Sequence, residues 1–139
     1  MLSHMLDADL CIHLVRQTNR VLLVRFRETG QNLSVSTIVQ TELMVGVEKS
    51  PDPTQAGERV ERLLARVTVL PFDEAAAAHA ASIRAYLEAV GRKLGAYDGL
   101  IAGHARSLGL TLVSGTREFS RVPGLLHEDW LTGLKDGDR

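Results

Sequence analysis

Short apolar runs alternate along this chain with longer stretches whose hydrophobic residues recur every three or four positions. His4 to Leu6 is a brief apolar run ending at Asp7, and it predicts a first strand. From Asp9 onward Leu10, Ile12, Leu14 and Val15 continue without a breaker, which predicts a helix with Asp9 as its N-cap. A second helix, about Arg20 to Glu28, stops at Gly30, a residue type suited to the position after a helix. Leu33 to Ser36 alternates in the β manner, and Thr37 then opens another helix. In it Val39, Leu43 and Val47 form an i, i+4 stripe with Glu42 beside it. Ser50-Pro51-Asp52-Pro53 breaks that helix, and the next runs to about Arg66.

Val67 to Leu70 is short and β-branched, a third strand. Asp73 caps a long helix whose inward side is Ala76, Ala80, Ile83, Leu87 and Val90. A turn from Gly91 to Gly95 leads into a helix with Asp98 in its first turn, Ile101, Ala105 and Leu108 inward, and Gly109 at its end. Leu110 to Val113 makes a fourth strand, and an extended piece around Leu125 to His127 precedes Trp130. Strands alternating with helices across short loops predict an α/β fold: a mostly parallel sheet of four to five strands with helices on both faces. Residues 1–134 read as one such domain, and Lys135 to Arg139 as a frayed tail.

Composition narrows the chemistry. Hydrophobic residues make up 45% of the 139 positions and aromatics only 4%, a core of Ala, Val, Leu and Ile suited to helices packed on a sheet. With 16 basic and 17 acidic residues the formal charge is −1, so nucleic acid is not attracted wholesale and must be met by a local patch. The single cysteine, Cys11, cannot form an intramolecular disulfide, and its neighbours Leu10 and Ile12 predict a buried thiol in a reducing compartment. There is no secretory signal pattern and no run near the ~18 apolar residues of a membrane span, so the expectation is a cytoplasmic protein.

Three acids stand where an apolar run gives way to a helix: Asp7, Glu42 and Asp98. Such positions gather at one edge of an α/β sheet, where converging carboxylates repel one another and a divalent cation offsets the repulsion. Mg²⁺ needs only one or two protein carboxylates and takes the rest of its shell from water and substrate phosphate. A third acid can hold a second ion or orient attacking water, which predicts metal-dependent phosphodiester hydrolysis. After the fourth strand the chain reads Ser114-Gly115-Thr116-Arg117-Glu118, where the Thr116 hydroxyl or the Glu118 carboxylate is the candidate for a fourth site position.

Met5-Leu-Asp-Ala-Asp-Leu-Cys-Ile12, Ser36-Thr-Ile-Val-Gln-Thr-Glu-Leu-Met-Val-Gly46 and Gly95-Ala-Tyr-Asp-Gly-Leu-Ile-Ala-Gly-His-Ala-Arg106 together resemble a PIN domain. Thr111-Leu-Val-Ser-Gly-Thr-Arg-Glu-Phe119, Arg121-Val-Pro-Gly-Leu125 and Glu128-Asp-Trp130 narrow the resemblance to the VapC toxins of VapBC toxin–antitoxin systems. It implies a Mg²⁺- or Mn²⁺-dependent endoribonuclease with Asp7, Glu42 and Asp98 as metal ligands. It also implies a homodimer, inhibited by a VapB-type antitoxin in a higher assembly, and an RNA substrate that is initiator tRNA in some relatives. Two positions depart from the family pattern: Ala8 replaces the usual Thr or Ser, and Ser114-Gly115-Thr116 replaces a longer Thr-Asn-Asn segment.

RNA needs cations, and the candidates are Arg84, Arg92, Lys93, Arg106 and Arg117, with Arg92-Lys93 favoured because it precedes the loop that delivers Asp98. The stretches Val21 to Phe26 and Val60 to Leu64, with Arg25, Arg27 and Arg59, either receive the antitoxin or a second copy or pack internally. Competing readings are weaker. His79 and His104 invite a metal-free ribonuclease, but lone helical histidines are usually packing residues. The Asp7-Ala8-Asp9 spacing is shared with haloacid-dehalogenase phosphatases, yet no later Asp-Asp pair follows. A receiver domain needs an Asp ending the third strand, and Asp73 falls at a helix cap instead. A degenerate PIN domain acting only as a binding partner is the non-enzymatic alternative.

Overall fold

Strand β1 (His4–Leu6) lies at the centre of a five-stranded, all-parallel sheet in the computed structural model, which describes residues 1–134. The tail expected at Lys135 to Arg139 lies outside the described residues. After β1 come α1 (Ala8–Arg16), α2 (Arg20–Thr29), a 3-10 turn (Gly30–Asn32) and β2 (Leu33–Ser36). Then follow α3 (Thr37–Glu48), α4 (Pro53–Leu64), β3 (Thr68–Leu70), α5 (Glu74–Ala89) and α6 (Ala96–Leu108). Strand β4 (Thr111–Ser114), a second 3-10 turn (Arg117–Arg121) and β5 (His127–Asp129) complete it.

The strand order is β3-β2-β1-β4-β5. The chain builds outward from β1 to β3, then crosses back to lay β4 on the other side of β1. That reversal puts a topological switch point at the carboxyl ends of β1 and β4, the usual location of an α/β site. The Asp7 N–H donates to the Val113 carbonyl at 3.0 Å, so the residue after β1 is pinned to the neighbouring strand at that switch point. Met5 and Leu6 point to opposite faces and are both fully buried, so both faces of the central strand are covered.

The expected elements form, with local corrections. Asp7, not Asp9, caps α1: its backbone is extended (φ −80°, ψ 173°) and its Oδ1 accepts the Leu10 N–H at 2.9 Å. Asp9 lies within the first helical turn. Val90 and Leu108, expected inward, are 49% and 48% exposed. Val90 is the C-cap residue just past α5 and Leu108 is the last residue of α6. The last strand is His127–Asp129, later than expected, because its polar residues are held by parallel pairing with β4 and not by an apolar pattern.

Helices α5 and α6 pack closely because small residues face each other. A Cβ added to Gly103 would stand 2.5 Å from the backbone nitrogen of Ala80. Trp130 is buried, donates its indole N–H to Glu128 Oε1 at 3.1 Å and lies under the Arg25 guanidinium at 4.6 Å, so it anchors the C-terminal segment. Cys11 is a buried free thiol. Among the described residues no helix is long and apolar enough to cross a membrane.

Candidate active site

Asp7 enters the site from the end of β1. Only 2% of it is exposed, and its carboxylate spends one oxygen on the α1 cap. Glu42 comes from the middle of α3 and is half-buried; Asp98 comes from the first turn of α6 and is half-buried too. Helix α6 opens at Gly95 without a side-chain cap. A Cβ at Gly95 would stand 3.2 Å from Asp98 Oδ2, so the glycine leaves room for the Asp98 carboxylate over the start of its own helix.

Electrostatics ties the three together. Burial pushes the Asp7 carboxyl up to about 7, its hydrogen bond from Leu10 opposes the rise, and the charges of Asp9, Asp98 and Glu42 add to it. Glu42 is raised by burial first, then by Asp98 and Asp9. Asp98 is raised by burial, then by Asp9 and Glu118. No cation figures among these influences, and among the described residues no ion pair involves any of the three acids. Five carboxylates, Asp7, Asp9, Glu42, Asp98 and Glu118, therefore influence one another here, and among the described residues none of them is in an ion pair.

The donor set is all hard oxygen, which fits Mg²⁺ or Mn²⁺ and not a thiolate-preferring metal. Among the described residues no three acidic, His or Cys side chains, as placed, enclose a point for an ion. The arrangement is thus not a closed protein cage. It suits instead the open kind of site, where one or two carboxylates share an ion with water and phosphate.

Asp9 is the residue that sequence reading left out of this site. Assigned there to capping, it is exposed in α1 and acts on all three acids. The signal was the Asp7-Ala8-Asp9 spacing, two acids astride one helix start. Of the fourth-position candidates, Glu118 is exposed and felt by Asp98, whereas Thr116 donates its backbone N–H to Ser114 Oγ at 3.1 Å inside the loop. That loop is tight for a stated reason: a Cβ at Gly115 would stand 2.8 Å from Leu131 Cβ.

The candidate cations divide sharply. Arg106 is committed to the fold, donating to His79 Nδ1 at 2.9 Å and to the Pro123 carbonyl at 2.8 Å. Arg84 pairs with Glu88 at 3.1 Å on the same helix. Arg92 and Lys93 are exposed beside a groove of about 600 Å³ that runs along α5 to Gly95 and Gly99, flanking the start of Asp98's helix. Arg117 is exposed at the opening of the second 3-10 turn. His104 is buried and engaged with Ser36, so neither histidine is placed as one of a catalytic pair.

A second groove, of about 330 Å³, joins α1, α2 and α4. Arg16, Arg27, Arg59, Arg62 and Arg66 line it, over an apolar floor that includes Leu23, Phe26 and Leu63. Sequence reading had singled out α2 and α4 here. The structure buries Leu22, Phe26, Val60 and Leu63, exposes Val21 and Val24, and turns Arg25 away to Trp130.

Comparison with known proteins agrees with this fold. The PIN domain matches residues 4–125. The chain is 42% identical over 131 residues to the tRNA(fMet)-specific endonuclease VapC of Shigella flexneri, covering 94% of this chain and 99% of that one. It is 40% identical, with the same coverage, to the tRNA(fMet)-specific endonuclease VapC of Salmonella typhimurium. Against DNA-bound VapBC from Salmonella typhimurium the TM-score is 0.90 at 40% identity, covering 94% of this chain and 99% of that chain. Against VapBC2 from Rickettsia felis bound to a promoter DNA fragment it is 0.88 at 28% identity, covering 93% and 99%. The chain belongs to the PIN domain family. Within that family its relatives are the VapC ribonucleases.

Proposed function

We propose that this chain is a toxin endoribonuclease that hydrolyses RNA phosphodiester bonds at the carboxylate cluster, with Mg²⁺ or Mn²⁺ as its metal. The observation that carries the reading is the Asp7 carboxyl, 2% exposed at the end of β1, which burial and the charges of Asp9, Asp98 and Glu42 raise to about 7 and which no ion pair among the described residues offsets. Two of Asp7, Glu42 and Asp98 would hold the ion, the third would orient water or share a second ion, and Asp9 and Glu118 would lie at the margin. When bound, the ion supplies charge neutralisation and Lewis acidity at the scissile phosphate. Asp7 gives up its proton to become a ligand, and an exposed acid of the set orients the attacking water and accepts its proton. Arg92, Lys93 and Arg117 meet the RNA backbone, which supplies affinity but no sequence choice.

The 42% and 40% identical relatives named as tRNA(fMet)-specific endonucleases support a structured RNA, tRNA among the candidates, as substrate. The solved VapBC assemblies support a VapB-type antitoxin as the partner that restrains the enzyme in the cytoplasm. The five-arginine groove between α1, α2 and α4 suits an acidic, apolar antitoxin segment by charge and by its floor. A homodimer is the assembly we infer from the family resemblance.

The test is cleavage of total tRNA by purified, antitoxin-free protein with Mg²⁺, with EDTA, and as Asp7→Asn. The expected result is cutting only by the wild type with metal, leaving 5′-phosphate and 3′-hydroxyl ends. Cyclic-phosphate ends formed in EDTA would overturn the metal mechanism. No cutting of any RNA under any condition would favour a PIN domain that only binds.

A further inference from the structure

The proposed metal site depends on two acids carried by different helices, Glu42 on α3 and Asp98 on α6, and like charges push such helices apart. What holds them is a buried polar contact across the sequence. His104 Nδ1 lies 2.8 Å from Ser36 Oγ, with His104 1% and Ser36 0% exposed. Ser36 ends β2 and caps α3, accepting the Ile38 N–H on the same Oγ at 3.1 Å. Since that oxygen already accepts from the backbone, its own proton is available to the imidazole nitrogen. Burial lowers the His104 pKa, favouring the neutral ring that can accept it.

The contact is braced from two sides. Phe72 meets the His104 ring edge-on, centroids 5.5 Å apart, and its backbone N–H donates to Thr37 Oγ1 at 3.1 Å in the first turn of α3. On the other flank, Gly103 seats α6 directly on α5. Glu42 follows Ser36 by six residues and Asp98 precedes His104 by six, so each acid lies a rise of about 9 Å along its helix from the bonded pair. Apolar packing alone would let α3 slide against α6; a buried hydrogen bond has a direction and fixes their register.

We propose that the Ser36–His104 hydrogen bond is a positioning device that sets the spacing of Glu42 and Asp98, and through it the affinity of the site for its divalent ion. The inference rests on the metal-site reading above. Neither residue touches substrate or ion in this account.

The test is Mn²⁺ binding without RNA, followed by electron paramagnetic resonance, on wild type, His104→Leu, Ser36→Ala, His104→Asn and Asp7→Asn. Thermal melting of each variant checks folding, and Ser36→Ala decides the matter should His104→Leu fail to fold. Loss of the bond is expected to weaken Mn²⁺ binding about tenfold or more in both His104→Leu and Ser36→Ala, as outer-shell substitutions do. His104→Asn, which places a hydrogen-bonding atom near the lost Nδ1, is expected to bind close to wild type. Folded His104→Leu and Ser36→Ala that bind like wild type would overturn this inference alone, provided Asp7→Asn abolishes binding. An Asn variant as weak as the Leu variant would reduce His104 to filler. Wild type that binds no better than Asp7→Asn would overturn the metal reading and this inference together.

Discussion

Asp7 carries two duties that pull against each other. Its Oδ1 caps α1, which favours the ionised form, while burial and neighbouring acids favour the neutral one, and the second influence prevails. The consequence for stability has a definite sign. A carboxyl at about 7 in the folded state, against 3.8 for the free group, means the native protein binds an extra proton between those values. Without metal, the Asp7 contribution therefore makes stability fall as pH rises through that window, and the loss is complete above it. Denaturation in EDTA should show Asp7→Asn gaining on wild type by about 3 kcal/mol between pH 5 and pH 8. An equal pH response in both proteins would remove the crowding from the account. Asn keeps an acceptor for the Leu10 N–H and Ala does not, so at pH 8 Asp7→Ala should be about 1 kcal/mol less stable than Asp7→Asn.

Among the elements, α5 and α6 matter most, because α6 delivers Asp98 and α5 fixes where α6 lies. Gly103→Ala drives a methyl group into the Ala80 backbone, and neither helix can yield locally. The expected result is a loss of about 1–3 kcal/mol or more in urea denaturation, with cleavage falling further than stability alone explains because Asp98 is displaced. Unchanged activity in a stably folded Gly103→Ala would show that the helix pair does not set the site. Much of this architecture was legible in the sequence. The stripe of Ala76, Ala80, Ile83 and Leu87 gave the buried face of α5 correctly, since helical period and core contact coincide over its length. Val90 and Leu108 broke the rule because they fall at helix ends, Val90 just past α5 and Leu108 as the last residue of α6. The cap of α1 was misplaced by two residues, since the choice between Asp7 and Asp9 turns on one backbone angle that composition does not encode. Asp7, Glu42 and Asp98 stood out because each interrupts an apolar context. The influence of Asp9 and Glu118 depends on how α1 and the loop after β4 face that edge, which only the fold reveals.

At the scale of the molecule, charge is sorted rather than balanced. The formal charge is −1, yet acids crowd the carboxyl end of the sheet while five arginines line the groove between α1, α2 and α4. That separation suits the proposed roles, a cation at the first surface and an acidic partner at the second. Reversing Arg59 and Arg62 to Glu should weaken capture by a VapB-type antitoxin and its salt dependence, while tRNA cleavage by the free protein stays near wild type. Loss of cleavage with antitoxin binding intact would exchange the roles of the two surfaces. Crowded carboxyls that accept a divalent ion must give up protons to do so. Mn²⁺ is titrated into metal-free protein at pH 7 in weak buffer while released protons are counted. With Asp7 raised to about 7, Mn²⁺ uptake by the wild type should release a measurable fraction of a proton per ion from that residue, and uptake by Asp7→Asn should release none from position 7. Binding of Mn²⁺ with no proton release from the wild type would contradict the metal-site reading.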